Sequence, residues 1–162
     1  MKYEHEEIKK KVNIAIDILF KNDSFLLRYQ VNERSITHKL AVYLQILFPE
    51  WHVDCEYNRK MFNITKMLKS IKGCSEQKKT DKIYPDIIVH MRATNDNLLV
   101  IETKKGEEDD PCDIRKLELF TEKFTEKGRG YEYEWGLFIK FLKTEKPSLT
   151  WFKDGKKYEP AV

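Results

Sequence analysis

Two apolar runs mark the middle of the chain. Residues 87–91 read Ile, Ile, Val, His, Met and residues 98–101 read Leu, Leu, Val, Ile, with the polar interval 92–97 between them. That interval carries Asn and Asp, so the pattern predicts an antiparallel hairpin with its apex near Thr94. Setting Ile88 opposite Val100 places His90 opposite Leu98 and Asp86 opposite Glu102. The other face then carries Ile87, Val89, Met91, Leu99 and Ile101, so both faces are apolar, as in central strands covered by helices. Charge breaks the pattern at one end only, where Asp86 opens the first run and Glu102, Lys104 and Lys105 close the second. Side chains alternate along a strand, so Glu102 and Lys104 share a face and Thr103 points away. Carboxylates directly opposite one another on paired strands have Cβ atoms about 4.5–5.5 Å apart, close enough to hold one divalent cation. Left unpaired and buried they repel, and at least one pKa rises. A bound Mg2+ or a nearby lysine removes that conflict, which makes Asp86, Glu102 and Lys104 a candidate metal site.

The rest of the chain supplies the elements such a hairpin needs around it. Ile8, Val12, Ala15 and Leu19 recur at helical spacing and predict a helix over about residues 4–21. Ile36, Leu40, Tyr43, Leu44 and Leu47 predict a second, over about 32–48, with Pro49 ending it and Glu33 on the same stripe. Residues 51–58 alternate as a strand, and about 60–82 reads as an excursion from the core. Asp110 as N-cap, Pro111 in the first turn and Asp113 near the helix dipole predict a helix start. Its buried stripe is Ile114, Leu117, Phe120 and Phe124, with Gly128 and Gly130 closing it. Residues 134–142 predict a buried strand, and 148–152 with 156–159 a terminal hairpin turned by Asp154-Gly155. The order is helix, helix, strand, hairpin, helix, strand, hairpin, an α/β (α+β) chain whose mixed sheet packs against helices.

At 162 residues the chain suits one domain, spanning 1–162. An apolar fraction of 41 % with 12 % aromatics excludes a disordered chain. No apolar run approaches the roughly 20 residues that cross a bilayer, so no membrane partner is expected. The acidic, interrupted N-terminus is unlike a secretory signal, and three widely spaced cysteines read as reduced thiols; both point to an intracellular, cytoplasmic location. The formal charge of +3 matters less than its distribution: residues 60–82 hold seven Lys against two acids, a net +5. No phosphate-cradling glycine loop, nucleophile elbow or zinc spacing occurs.

Pro85-Asp86, fifteen residues, then Glu102-Thr103-Lys104 resembles the PD-(D/E)xK nuclease superfamily, whose restriction endonuclease-like fold has an αβββαβ core. The resemblance covers about residues 32–142 and leaves an extra N-terminal helix and a C-terminal hairpin outside it. It implies a Mg2+-dependent nuclease, with Mn2+ as substitute, acting on a nucleic acid and on DNA by preference. Asp86 and Glu102 would bind the metal, Lys104 would orient or activate the attacking water, and Glu33 would complete the metal shell. Thr103 would offer only its backbone carbonyl as a ligand. Lys60, Lys66, Lys69 and Lys72 of the basic insertion would grip phosphates, with Lys105 and Lys116 as further contacts. One site per chain means that cutting a duplex needs a homodimer or two sequential nicks.

The tripeptide alone is weak evidence, because an acid followed two residues later by Lys also begins at Glu7, Glu76 and Asp154. Only Glu102 ends an apolar strand, faces an Asp-bearing strand and follows a helix with a carboxylate on its stripe. Strand-end charges reaching solvent, a solvated lysine loop and a first-turn Glu favoured by the helix dipole are the plainer readings of the same residues. Two rival functions stay open: a non-catalytic nucleic-acid-binding or assembly module on the same fold, and a defence or mobile-element component acting with a partner chain.

Overall fold

The computed structural model describes residues 3–29, 31–57, 84–123, 131–142 and 146–160. Helix α1, His5–Asn22, buries Ile8, Val12, Ala15, Ile16 and Leu19, with Glu6 and Glu7 in its first turn and Lys21 in its last, each matched to the helix dipole. A single turn, α2 (Ser24–Arg28), follows and buries Leu27. Helix α3, Glu33–Leu47, begins at Asn32, whose side chain accepts from the Arg34 N–H at 3.1 Å, and ends at Phe48, just before Pro49.

Strands β1 (His52–Cys55), β2 (Ile87–His90) and β3 (Asn97–Lys105) pair antiparallel in that order. Helix α4, Pro111–Thr121, then returns the chain to β4 (Trp135–Phe141), parallel to β3. β5 (Ser148–Lys153) and the two-residue β6 (Lys156–Lys157) extend the sheet antiparallel, giving the order β1-β2-β3-β4-β5-β6. Asp154 at φ 51° and Gly155 at φ 75° form the mirror-image turn whose twist matches the flanking strands.

The chain is thus mixed α+β, with helices on both faces of one six-stranded sheet. Ile87, Val89, Leu99 and Ile101 pack with α1 and α3 on one face. Ile88, Val100 and Phe138 pack with Leu117 and Phe120 of α4 on the other. No helix among the described residues is long and apolar enough to cross a membrane.

Several details depart from the sequence pattern, among them the unexpected α2 and a β1 confined to His52–Cys55 where a strand over 51–58 was expected. The ladder runs Ile87↔Ile101, Ile88↔Val100, Val89↔Leu99, but a bulge between Val89 and His90 sets His90 against Asn97 rather than Leu98. An extra residue at that point leaves the apolar alternation on the core side of the bulge unchanged. Helix α4 ends at Thr121, because Glu122 leaves the helical region at φ −64°, ψ 132°. Phe124, Gly128 and Gly130, expected to finish it, lie outside the described residues. Strand β6 stops at Lys157, short of 159, although the Tyr158 N–H still donates to the Trp151 carbonyl at 2.7 Å. Cys55 is a free thiol but Cys112 is disulfide-bonded, which overturns the expectation of three reduced cysteines.

Candidate functional site

β3 carries the centre of the site. Glu102 lies on the face that packs against α4 and is 1 % exposed. Its Oε2 accepts from Lys116 Nζ at 2.7 Å, while Oε1 is buried with no hydrogen-bond partner among the described residues. Burial pushes the Glu102 pKa well above the ordinary range, the attraction of Lys116 opposes this, and the charges of Asp86 and Asp113 reinforce it.

Continuing the β2–β3 ladder one step past Ile87↔Ile101 sets Asp86 opposite Glu102. Asp86 Oδ2 accepts from the Thr103 N–H at 2.7 Å and the Thr103 hydroxyl at 2.9 Å. Thr103, itself 1 % exposed, therefore orients the Asp86 carboxylate with both donors. Thr103 Oγ1 also lies 3.0 Å from Thr37 Oγ1, tying β3 to α3. Burial raises the Asp86 pKa, and the Thr103 N–H and the Lys116 charge pull the other way.

Glu33, the first residue of α3, reaches the end of β3, where its Oε2 accepts from the Lys105 N–H at 3.1 Å. Burial raises its pKa, the Lys105 N–H opposes, and the negative charges of Asp86 and Asp113 raise it further. Hydrogen bonds bring Asp86 to Thr103, Glu33 to Lys105 and, through Lys116, Asp113 to Glu102, so four carboxylates gather along the last residues of β3.

The lysines divide the work. Lys104 Nζ donates to Asp110 Oδ2 at 3.0 Å and its side chain is 39 % exposed; that bond raises its pKa. For Asp110, burial acts upward but the Lys104 bond and two N–H groups at the helix start outweigh it, so its pKa falls. Lys116, expected to contact nucleic acid, is instead 4 % exposed, with Nζ 2.6 Å from Asp113 Oδ1 and 2.7 Å from Glu102 Oε2. Burial acts to lower its pKa, and the two carboxylates overcome this and hold the ammonium charged. Lys105 Nζ donates to the Val31 carbonyl at 2.7 Å. Lys60, Lys66, Lys69 and Lys72 lie outside the described residues.

Asp113 and the second role of Asp110 were not foreseen. The sequence shows Asp110 as a cap and Asp113 as a dipole-matched residue, and the structure retains the cap, with Asp110 Oδ1 accepting from the N–H groups of Cys112 and Asp113 at 2.9 and 3.4 Å. The available signal was spacing: Asp110, Asp113 and Lys116 recur every three residues, which puts them on one helix face. Only the packing of α4 on β3 turns that face toward Glu102 and Lys104.

Oxygen ligands alone suit Mg2+, which is commonly bound by one or two carboxylates and completed by water and phosphate oxygens. Glu102 Oε1, buried and unpartnered, and the carboxylate of Asp86 opposite it fit that role. Among the described residues no group of three or more His, Cys, Asp or Glu is arranged to hold a metal ion. A cleft of about 740 Å³ lies elsewhere, lined by Tyr3, His5, Tyr133, Trp135, Lys153 and Tyr158 among others, and none of the candidate residues lines it. No family model matches the chain, and neither a curated protein nor a solved structure matches it.

Proposed function

We propose that the chain is a Mg2+-dependent nuclease of the PD-(D/E)xK kind, hydrolysing phosphodiester bonds of DNA. The observation that carries this reading is the buried Glu102, one of whose oxygens has no partner among the described residues, with Asp86 held beside it by Thr103, Asp113 sharing its lysine and Glu33 bonded to the end of the same strand. Structural ion pairs normally balance. Among the described residues, the Lys116 ammonium is shared by two carboxylates, Glu102 and Asp113, while Lys104 is matched by Asp110 and Asp86 accepts from the neutral donors of Thr103, which leaves an excess of negative charge. A divalent cation relieves that excess. The order α3, β1, β2, β3, α4, β4, with β4 parallel to β3, is compatible with an αβββαβ core.

Glu102 Oε1 and Asp86 would hold the metal, with Glu33 and the Thr103 carbonyl at the periphery. When bound, Mg2+ supplies Lewis-acid polarisation and charge neutralisation at the scissile phosphate. Thr103 fixes the Asp86 carboxylate through its N–H and hydroxyl. Lys104, far more exposed than Lys116, is the lysine with access to an attacking water or a phosphate oxygen. The DNA preference rests on the motif resemblance.

Incubation with single-stranded, duplex and branched DNA in Mg2+ or Mn2+ tests the reading. Cleavage is expected, and Asp86→Ala, Glu102→Ala and Lys104→Ala are expected to abolish it; no cleavage of any substrate, or cleavage untouched by these changes, would sink it. The Lys116–Glu102 bond favours one alternative, a binding module in which lysine has replaced the metal. Such a module shows salt-dependent DNA affinity with no carboxylate-dependent uptake of Mn2+ in calorimetry.

A further inference from the structure

We propose that Lys116 is a positioning residue of this site, holding Glu102 by one oxygen so that the other is presented as its single ligand atom to the metal. The inference rests on the metal-dependent reading above and assigns the two lysines different tasks. Lys116 is not a loose neighbour of Glu102. It rises from the second turn of α4, between the buried Leu117 and the partly buried Arg115, and Asp113 one turn earlier fixes its ammonium at 2.6 Å. Its reach to Glu102 Oε2, 2.7 Å, joins two side chains that are 5 % and 1 % exposed. A carboxylate gripped on one oxygen in a close-packed core has a defined orientation, and the oxygen left over is the atom without a partner among the described residues. Lys104 makes no such contact; it belongs to Asp110.

Groups that hydrogen-bond a metal ligand from behind orient it, and their removal typically weakens metal affinity about 10–100-fold. Mn2+ is titrated calorimetrically into the full chain and its variants, and the thermal midpoint of each is recorded without metal. Lys116→Met is expected to bind Mn2+ about 10–100-fold more weakly. Lys116→Arg, which keeps a charged donor, is expected to restore most of that affinity, and Asp113→Asn to fall between. Lys104→Met is expected to lose cleavage and keep its Mn2+ affinity. Lys116→Met binding as tightly as the wild type, or Lys104→Met losing as much as Lys116→Met, overturns the assignment. If Lys116→Met does not fold, Lys116→Arg and Asp113→Asn decide by the same measurement: Asp113→Asn must bind more weakly than the wild type. Absence of Mn2+ binding by the wild type overturns the metal reading itself, a failure visible before any variant is compared.

Discussion

Asp54 shows how much one strand residue can organise. Its Oδ2 lies 2.8 Å from Nε2 of the fully buried His90 and accepts from Arg92 Nε at 2.9 Å, and its Oδ1 pairs with Arg92 Nη2. The hydrogen bond from Arg92 is the main cause that holds its carboxyl at about 2, against an ordinary 3.8. A depressed folded-state pKa stabilises the fold above the unfolded value and loses that stabilisation as pH falls through the folded one. At full effect this difference is worth about 2 kcal/mol; with the guanidinium 53 % exposed, about 1 kcal/mol is the better figure. Asp54→Asn is therefore expected to unfold about 1 kcal/mol more easily at pH 7. The gap should close as the pH drops from about 4 to about 2, and a gap that persists in urea titrations at pH 2 refutes the account. Cysteine chemistry makes a second residue-level prediction. Cys55 is a free thiol exposed at the surface, but partial desolvation and the negative charges of Asp86, Glu56 and Asp54 push it up to about 11, so a low thiolate fraction rather than lack of access should make it react slowly in the folded chain. Alkylation of the denatured, unreduced chain should label Cys55 and spare Cys112; a labelled Cys112 contradicts the disulfide.

Among elements, α4 is the one whose placement the site depends on, and its approach to β4 is set by a missing side chain. A Cβ at Gly136 would lie 3.0 Å from Thr121 Cγ2, 3.2 Å from Phe152 Cβ and 3.4 Å from Leu117 Cδ2. Thr121 cannot turn away freely, since its hydroxyl donates to the Leu117 carbonyl at 2.9 Å, and Phe152 Cβ moves only with its backbone. Gly136→Ala gains about 0.4–1 kcal/mol from a less flexible unfolded chain and loses about 1–3 kcal/mol to overpacking. Net destabilisation is expected, read as a lower urea midpoint with unchanged slope, and a midpoint at or above the wild type argues against close helix–strand contact. The start of α4 was legible because cap chemistry is local: Asp110 and Pro111 act within four residues. The β2–β3 register was legible because alternation and turn residues fix it. What lay beyond local chemistry was not: α2 is too short for a helical period to register, the bulge at His90 leaves the apolar pattern intact, and Asp113 has the same signature whether it serves a dipole or grips Lys116. The partner of Lys104 was illegible for the same reason, because packing rather than spacing turns Asp110 toward it.

At the scale of the whole molecule, the sheet builds two unequal cores, and the smaller one contains the site. On the α1/α3 face the buried set is almost wholly apolar. On the α4 face, Val100, Leu117, Phe120 and Phe138 surround a strand and a helix that also bury Glu102 and Lys116. A protein selected for stability alone gains little from that pair: the cost of drying two charges rivals their attraction, and well-packed apolar replacements are often neutral or stabilising by about 1–4 kcal/mol. Removing one partner is different, and typically costs about 3–5 kcal/mol because a buried charge is left uncompensated. The combination gives a non-additive prediction. Lys116→Met should lower the unfolding free energy by about 3 kcal/mol or more, whereas Glu102→Leu combined with Lys116→Met should recover the wild-type value or exceed it, and bind no Mn2+. Recovery of stability together with loss of the metal would mean that the ion pair is kept for what Glu102 does, at the expense of the smaller core. A double variant as unstable as Lys116→Met would instead make the pair a structural requirement of α4 docking, and would remove the stability argument for reading the pair as functional.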